Sequence, residues 1–205
     1  MIPKPLVLAS SSRYRKALLE RLELPFDSAS PAIDESAGDK ESAESLTTRL
    51  AREKAEALQT QFPNHWIVGS DQVAALADGQ ILTKPGNFST ACRQLRQCSG
   101  QKVRFLTGLT LLDSATGDTL QLCEPFDVHF RTLSDQEIEH YLKTETPYDC
   151  AGSFRMEGLG IALFSRLEGR DPNSLIGLPL IGLCDMFRQW GLDPLAEAYR
   201  NSNRE

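Results

Sequence analysis

Four apolar residues in a row, Leu6-Val-Leu-Ala9, lead into three serines and then into a segment whose apolar residues recur at helical spacing. So short an apolar run reads as a buried strand. The serines supply the side-chain oxygen that the free N–H groups of a following helix require. The same alternation of apolar run and helical pattern repeats along the chain, which directs it to an α/β architecture.

The first helix is expected over 15–24, with Ala17, Leu18 and Leu22 on one side and Pro25 ending it. Residues 31–45 are polar and read as a loop. A second helix is expected over 44–61, followed by a strand over 66–71 that continues through 73–76. Asn87 or Ser89 can cap a third helix carrying Ala91, Leu95 and Cys98. Residues 103–112 and 120–130 read as a long antiparallel pair. Ser134 and Glu137 have the spacing of a capping box. A strand is expected over 158–167, and Pro179 opens a final helix with Leu180, Leu183 and Phe187 inward. Residues 1–195 then form one domain, and the polar stretch 196–205 is expected to fray as a tail.

Composition narrows the functional classes. The chain has 205 residues, which suits one domain or two closely fused lobes, and 40% of them are hydrophobic, enough to bury a core. With 28 acidic against 22 basic residues the net charge is −6. That balance disfavours nucleic acid, whose binding rests on a basic field, yet it leaves room for a small phosphorylated ligand held by a few cations in one cleft. No apolar run approaches the roughly 18 residues of a membrane helix, and the N-terminus reads into a strand rather than a signal peptide. A soluble cytoplasmic protein is therefore expected. The five cysteines are an odd, widely spaced set without a C-x-x-C pair, so reduced thiols are expected. His65, His129 and His140 also lack ligand spacing, so a metal would be held by carboxylates, as hard cations are.

Several residues stand out against this background. Ser10 to Arg15 place hydroxyls, backbone N–H groups and arginines at a strand-to-helix junction, which suits an anion as well as an ordinary capped helix. Lys54 shares a stripe with Leu46, Leu50 and Leu58, while Arg49, Arg52, Glu53 and Glu56 form a solvated face. A cation on the inward stripe either meets an anion there or snorkels to water over its packed stem. Asp71 and Gln72 end an apolar run, where α/β folds place ligands. Glu35 in the acidic loop is a candidate partner for Asp71, since two carboxylates can hold a divalent cation and orient a water. Lys84 stands beside Pro85, and two glycine-rich connections cover 150–158 and 168–180.

Taken in order, Leu-Ala-Ser-x-Ser, Asp34-Glu35, Arg52-Glu-Lys-Ala55, Gly69-Ser-Asp71, Lys84-Pro85, Ala151-Gly and Gly177-Leu-Pro179 resemble the Maf family of nucleoside triphosphate pyrophosphatases, from about residue 6 to residue 190. The resemblance implies a two-lobed, mixed-sheet fold of the Maf and inosine-triphosphatase kind with a central cleft, often dimeric. It implies hydrolysis between the α and β phosphates with a divalent metal, Mg²⁺ or Mn²⁺. Carried over by position, Ser10, Arg15, Lys54 and Lys84 bind the triphosphate, Glu35 and Asp71 serve metal and water, and Asp71 is the proton acceptor. Lys54 and Lys84 count with Asp71 as catalytic. Arg13 departs from the family's usual proline.

The branch of the family follows from three positions. Asp71-Gln72 and Glu157-Gly158, with Tyr14 where the pyrimidine branch has arginine, resemble the branch that hydrolyses 7-methyl-GTP. Methylation at N7 leaves the base cationic, so an aromatic face gains a cation–π attraction, and Glu157 can accept from the guanine edge. Gln72 either bonds the base or supports Asp71. The same chemistry on dTTP or UTP is the nearest alternative. A non-catalytic, nucleotide-binding regulator of cell division is another, against which the water-activating carboxylate speaks.

Overall fold

The computed structural model describes residues 4–39 and 41–202. Its centre is a seven-stranded mixed sheet, and its strands are β1 (Leu6–Ala9), β2 (Phe26–Ala29), β3 (Trp66–Ala75), β4 (Ile81–Leu82), β5 (Lys102–Asp113), β6 (Thr119–Phe130) and β7 (Phe164–Gly169). The order is β2-β1-β3-β5-β6-β7, with β4 also on β3. β1 pairs in parallel with β2 and β3, and the other pairings are antiparallel. The α/β class expected from the alternating pattern is the one observed.

Register on β3 opens the space for a site. β5 lines one edge of β3 along its whole length, from Trp66 to Ala75. On the other edge β1 pairs only as far as Val68, and β4 pairs only at Ala74 and Ala75. The edge of β3 between them, which carries Asp71 and Gln72, has no strand beside it. It lies past the carboxyl end of β1, the position where parallel strands leave a crevice.

Alternation along the strands makes the two faces of the sheet different. One face of β3 and β5 carries Val68 and Leu111 at one end and Ala74 and Phe105 at the other. The first pair belongs to a core with Leu18 and Leu19 of helix α1 (Arg13–Glu20) and Leu183 and Phe187 of α5 (Leu180–Gln189). The second belongs to a separate core with Leu95 of α3 (Phe88–Cys98) and Ile138 and Leu142 of α4 (Asp135–Glu145). These are the two lobes. Between them the face turns polar, at Ser70, Gln72 and Thr107, and the gap is filled by the backbone of the connection before α5. The Thr107 hydroxyl donates to Ser174 O at 2.8 Å, and Ser70 Oγ lies 2.9 Å from Gly177 O.

Helix α2 (Ala43–Glu56) covers the opposite face. Its stripe of Leu46, Leu50 and Lys54 is buried, together with Leu58 just beyond its end, while Arg49–Glu53 and Arg52–Glu56 ion pairs occupy its outer side. The helix crosses the sheet unusually close. A β-carbon at Gly69 would overlap the Ala51 carbonyl oxygen, and one at Gly108 would overlap that of Thr47. Both positions face α2, and Gly108 is the cross-strand partner of Asp71. Glycine at these two places lowers the helix onto the strand pair beside Asp71.

Several boundaries differ from expectation. α1 begins at Arg13, because Ser12 accepts from the Arg15 N–H, and it stops at Glu20 before Glu23 takes a φ of 54°. Ala17 is therefore exposed rather than inward. α2 ends at Glu56, five residues early. β2 was not expected: it is half-exposed, and its order comes from pairing with β1. The expected strand over 158–167 starts only at Phe164, because Gly158 and Gly160 both turn back to donate to Arg155 O. The helix opened by Pro179 is not the last. α6 (Pro194–Ser202) follows, so residues 196–202 of the expected fraying tail are helical, with Glu197 buried.

Candidate active site

A cleft of about 460 Å³ opens at the unpaired edge of β3. One end is lined by Ser10 to Ser12 after β1, Arg15 of α1, Glu35 after β2, Lys54 of α2 and Lys84 after β4. Five separate elements thus deliver polar groups to one place. The other end is formed by Tyr14, by Asp149 to Ala151, and by Phe154, Met156 and Glu157 from the far lobe.

The first end is built around Lys54. Lys54 is 5% exposed, and its ammonium lies 2.6 Å from Asp71 Oδ1 and 2.7 Å from Glu35 Oε1. Of the two readings that the sequence left open, the ion-paired one holds. A charge this buried requires a counter-charge, and the close seating of α2 over Gly108 supplies Asp71. Asp71 is itself 8% exposed and reaches the cleft through Lys54, whereas the Glu35 side chain is 54% exposed and faces the opening. Burial pushes the Glu35 carboxyl up, but the hydrogen bond and charge of Lys54, with the charges of Lys84 and Arg15, outweigh it and hold the group below its ordinary value. Burial lowers the Arg15 guanidinium, offset in part by Asp71 and Glu35, and an arginine so placed stays charged.

Supporting contacts fix this end. Arg15 Nε donates to Gly177 O at 2.8 Å, tying α1 to the connection before α5. The buried Ser10 hydroxyl accepts from the Ser12 N–H at 3.1 Å, and the Ser12 hydroxyl caps α1. Gln72 donates from Nε2 to Ser174 O at 2.6 Å and to Thr107 Oγ1 at 3.1 Å. Both of its amide hydrogens are therefore engaged by the scaffold under the cleft. Lys84 is exposed at the rim, beside the buried Pro85.

The donor set suits a hard divalent cation. Glu35 and Asp71 both reach one cationic centre, the Lys54 ammonium, so two carboxylate oxygens already converge on positive charge at the cleft. Among the described residues no group of three or more His, Cys, Asp or Glu comes together as a metal cage. Two carboxylates with the remaining positions left to water and phosphate oxygens is the pattern of Mg²⁺-type sites, whereas a closed structural site would need more protein ligands.

At the other end, Tyr14 is half-buried, with the Arg13 guanidinium 4.8 Å and that of Arg155 5.7 Å from its ring centre. Glu157 is exposed on the opposite wall, without a hydrogen bond or ion pair among the described residues. Every residue that the sequence offered for phosphate, metal or base comes to this cleft or its immediate support, whereas Glu168 and Arg170 of the second glycine-rich connection pair elsewhere, with His129 and Glu124. The apolar wall of Phe105, Phe154 and Met156, and Asp149 at the rim, were not anticipated. Phe105 and Phe154 meet edge to face at 5.2 Å, and in sequence such residues look like any core aromatic.

No helix among the described residues is long and apolar enough to cross a membrane. A protein described as 7-methyl-GTP pyrophosphatase from Chromohalobacter salexigens is 58% identical to this chain over 190 residues, covering 93% of this chain and 98% of that protein. A structural likeness to the Staphylococcus aureus Ham1 protein has a TM-score of 0.45 at 12% identity, covering 62% of this chain and 72% of that one, below the level at which a shared fold follows. Residues 5–190 match the family described as Maf-like protein, and with all seven motifs gathered around one cleft the chain belongs to that family.

Proposed function

We propose that this protein hydrolyses 7-methyl-GTP to 7-methyl-GMP and pyrophosphate. The observation that carries the reading is the buried Lys54 ammonium shared by Asp71 and Glu35 at the cationic end of a nucleotide-sized cleft. The name of the 58% identical relative supports the substrate.

The chemistry follows from the charges. Breaking the bond between the α and β phosphates develops negative charge on the leaving pyrophosphate, and Lys54, Lys84 and Arg15 are placed to offset it. Ser10 and the N–H groups that open α1 hold phosphate oxygens. Asp71, with Oδ1 held by Lys54, orients a water toward the α phosphorus and takes its proton. Glu35 and Asp71 would hold Mg²⁺ or Mn²⁺, which when bound supplies Lewis-acid stabilisation of the phosphates. Tyr14 offers its ring face to the cationic base, and Glu157 offers a free carboxylate to the guanine edge. Gln72 acts as a support, since its amide donors are spent on Ser174 and Thr107. The proposal extends to a homodimer, which the family resemblance implies, and to a cytoplasmic location, which the sequence reading implies.

Pyrophosphate release from 7-methyl-GTP, GTP, UTP and dTTP, with Mg²⁺ or Mn²⁺ and with chelator, tests the proposal. The highest kcat/KM is expected for 7-methyl-GTP, lost on chelation. A preference for UTP or dTTP would overturn the substrate while leaving the reaction. No pyrophosphate from any nucleotide would favour the non-catalytic regulator.

A further inference from the structure

The segment that carries Glu157 has no regular structure of its own between Phe154 and Leu159, yet it is held to one helix end at three points. The Arg155 N–H donates to the Tyr141 hydroxyl of α4 at 2.9 Å. Glu145, the last residue of α4, accepts from the Leu159 N–H at 3.2 Å, and its other carboxylate oxygen stands 3.5 Å from Arg155 Nη1. Between these anchors the chain turns back on itself, with the Gly158 and Gly160 N–H groups both donating to Arg155 O. Glu157 sits at the tip, and the glycine after it leaves room for the Glu145 carboxylate in the clamp. A β-carbon at Gly158 would collide with the Glu145 carboxylate.

Arg155 extends the clamp across the cleft. Its guanidinium lies between the Glu145 carboxylate and the Tyr14 ring, at 3.5 Å and 5.7 Å. Its Nε is buried without a hydrogen-bond partner. A side chain still 23% exposed, whose ion pair is long and whose Nε–H is buried and unpaired, is a poor device for stability, and such a group calls for another explanation. What its position does is set the distance between the wall that bears Tyr14 and the turn that bears Glu157.

We propose that Glu145 and Arg155 form a positioning unit that holds Glu157 and Tyr14 at the spacing of a guanine base, and so set base selectivity without touching substrate or the phosphate chemistry. The proposal rests on the reading of Tyr14 and Glu157 as the base-recognising pair. Glu145 tightens binding of the base, and Asp71 and Lys54 at the other end of the cleft do not depend on it.

The experiment compares the wild type with Glu157→Gln, Glu145→Ala, Glu145→Gln and Arg155→Met, measuring kcat and KM for 7-methyl-GTP and UTP, with thermal melting of each variant. Glu145→Ala is expected to raise KM for 7-methyl-GTP about tenfold with kcat within about twofold, and to leave the constants for UTP nearly unchanged. Glu145→Gln keeps an acceptor for the Leu159 N–H and should recover most of that loss. Arg155→Met, whose side chain retains the packed stem, should move KM the same way and carries the test if Glu145→Ala does not fold. If Glu157→Gln leaves the ratio of 7-methyl-GTP to UTP unchanged, the base reading fails and the positioning unit with it. If Glu157→Gln shifts the ratio while folded Glu145 and Arg155 variants do not, the positioning unit alone is overturned. An equal fall in kcat for both substrates would assign Glu145 a purely structural role and also overturn it.

Discussion

The two ends of the cleft are built in opposite ways. At the end with Lys54, the central pair stands on regular elements, Lys54 on α2 and Asp71 on β3, and is nearly inaccessible to water: Lys54 is 5% and Asp71 8% exposed. At the end with Glu157, Glu157 is exposed on a turn held by its neighbours, and Tyr14 is half-buried in the first turn of α1. The first arrangement makes electrostatics strong and geometry rigid, because charges in a dry site interact with little screening and no reorganisation. On the proposed function, the second leaves selectivity to residues whose replacement costs the core little. A fold divided this way can change its base preference at the turn while keeping the chemistry seated on the helix–sheet crossing.

Lys54→Met strikes the buried end and should produce the largest effect. Although methionine fits the apolar stripe, it leaves the Asp71 carboxylate buried without its counter-charge, for a loss of about 3–5 kcal/mol in stability as well as loss of turnover. The double variant Lys54→Met with Asp71→Asn should regain most of the stability and none of the activity, as read by denaturant melts and pyrophosphate release. Equal stability of Lys54→Met and the wild type would show that the pair is not buried as described.

Asp71→Asn alone should spare more of the fold, since Lys54 keeps Glu35, while turnover falls at least about 100-fold. Near-normal turnover in that variant would remove Asp71 from the mechanism and erase the contrast between the two ends.

The exposed end predicts a different signature. Tyr14→Leu keeps the apolar contact and loses the ring, so kcat/KM for 7-methyl-GTP should fall by the equivalent of about 0.5–2 kcal/mol, with kcat and melting temperature nearly unchanged. Steady-state kinetics with 7-methyl-GTP and GTP separate the two terms. A fall in kcat alone would mean that Tyr14 belongs to the chemistry.

The smallest effect concerns pH. Lys54 holds the Glu35 carboxyl below its ordinary value, so the folded state binds that proton more weakly than the unfolded chain does. The stabilisation is present above the unfolded carboxyl pKa and is lost as pH falls through the lowered folded one. Glu35→Gln should therefore melt slightly below the wild type at neutral pH, and the difference should close toward the acid end. Because Glu35 is half in water the gap at neutral pH is small, and a gap that widens on acidification would have the wrong sign.

What the sequence determined by itself is what short-range pattern encodes. Apolar period and capping placed most helices and the long β5–β6 pair, and the Ser134–Glu137 capping box forms as its spacing implies, with both reciprocal bonds present. The out-of-place cation at Lys54 was visible because the positions around it on the helix are apolar. The tertiary structure alone decided which partner that cation has, since its anion lies on a different strand and reaches it only because Gly69 and Gly108 let α2 down onto the sheet. It also decided that Gln72 supports the floor of the cleft, through a bond to a carbonyl 102 residues away, and that β2 is a strand at all, its own residues being half-exposed and without a strong period. Likewise Glu157 owes its place to a helix end whose role nothing near it in sequence announces. Local pattern is written within one or two turns of chain, whereas the site is made of contacts between residues far apart, and those exist only once the sheet has set its register.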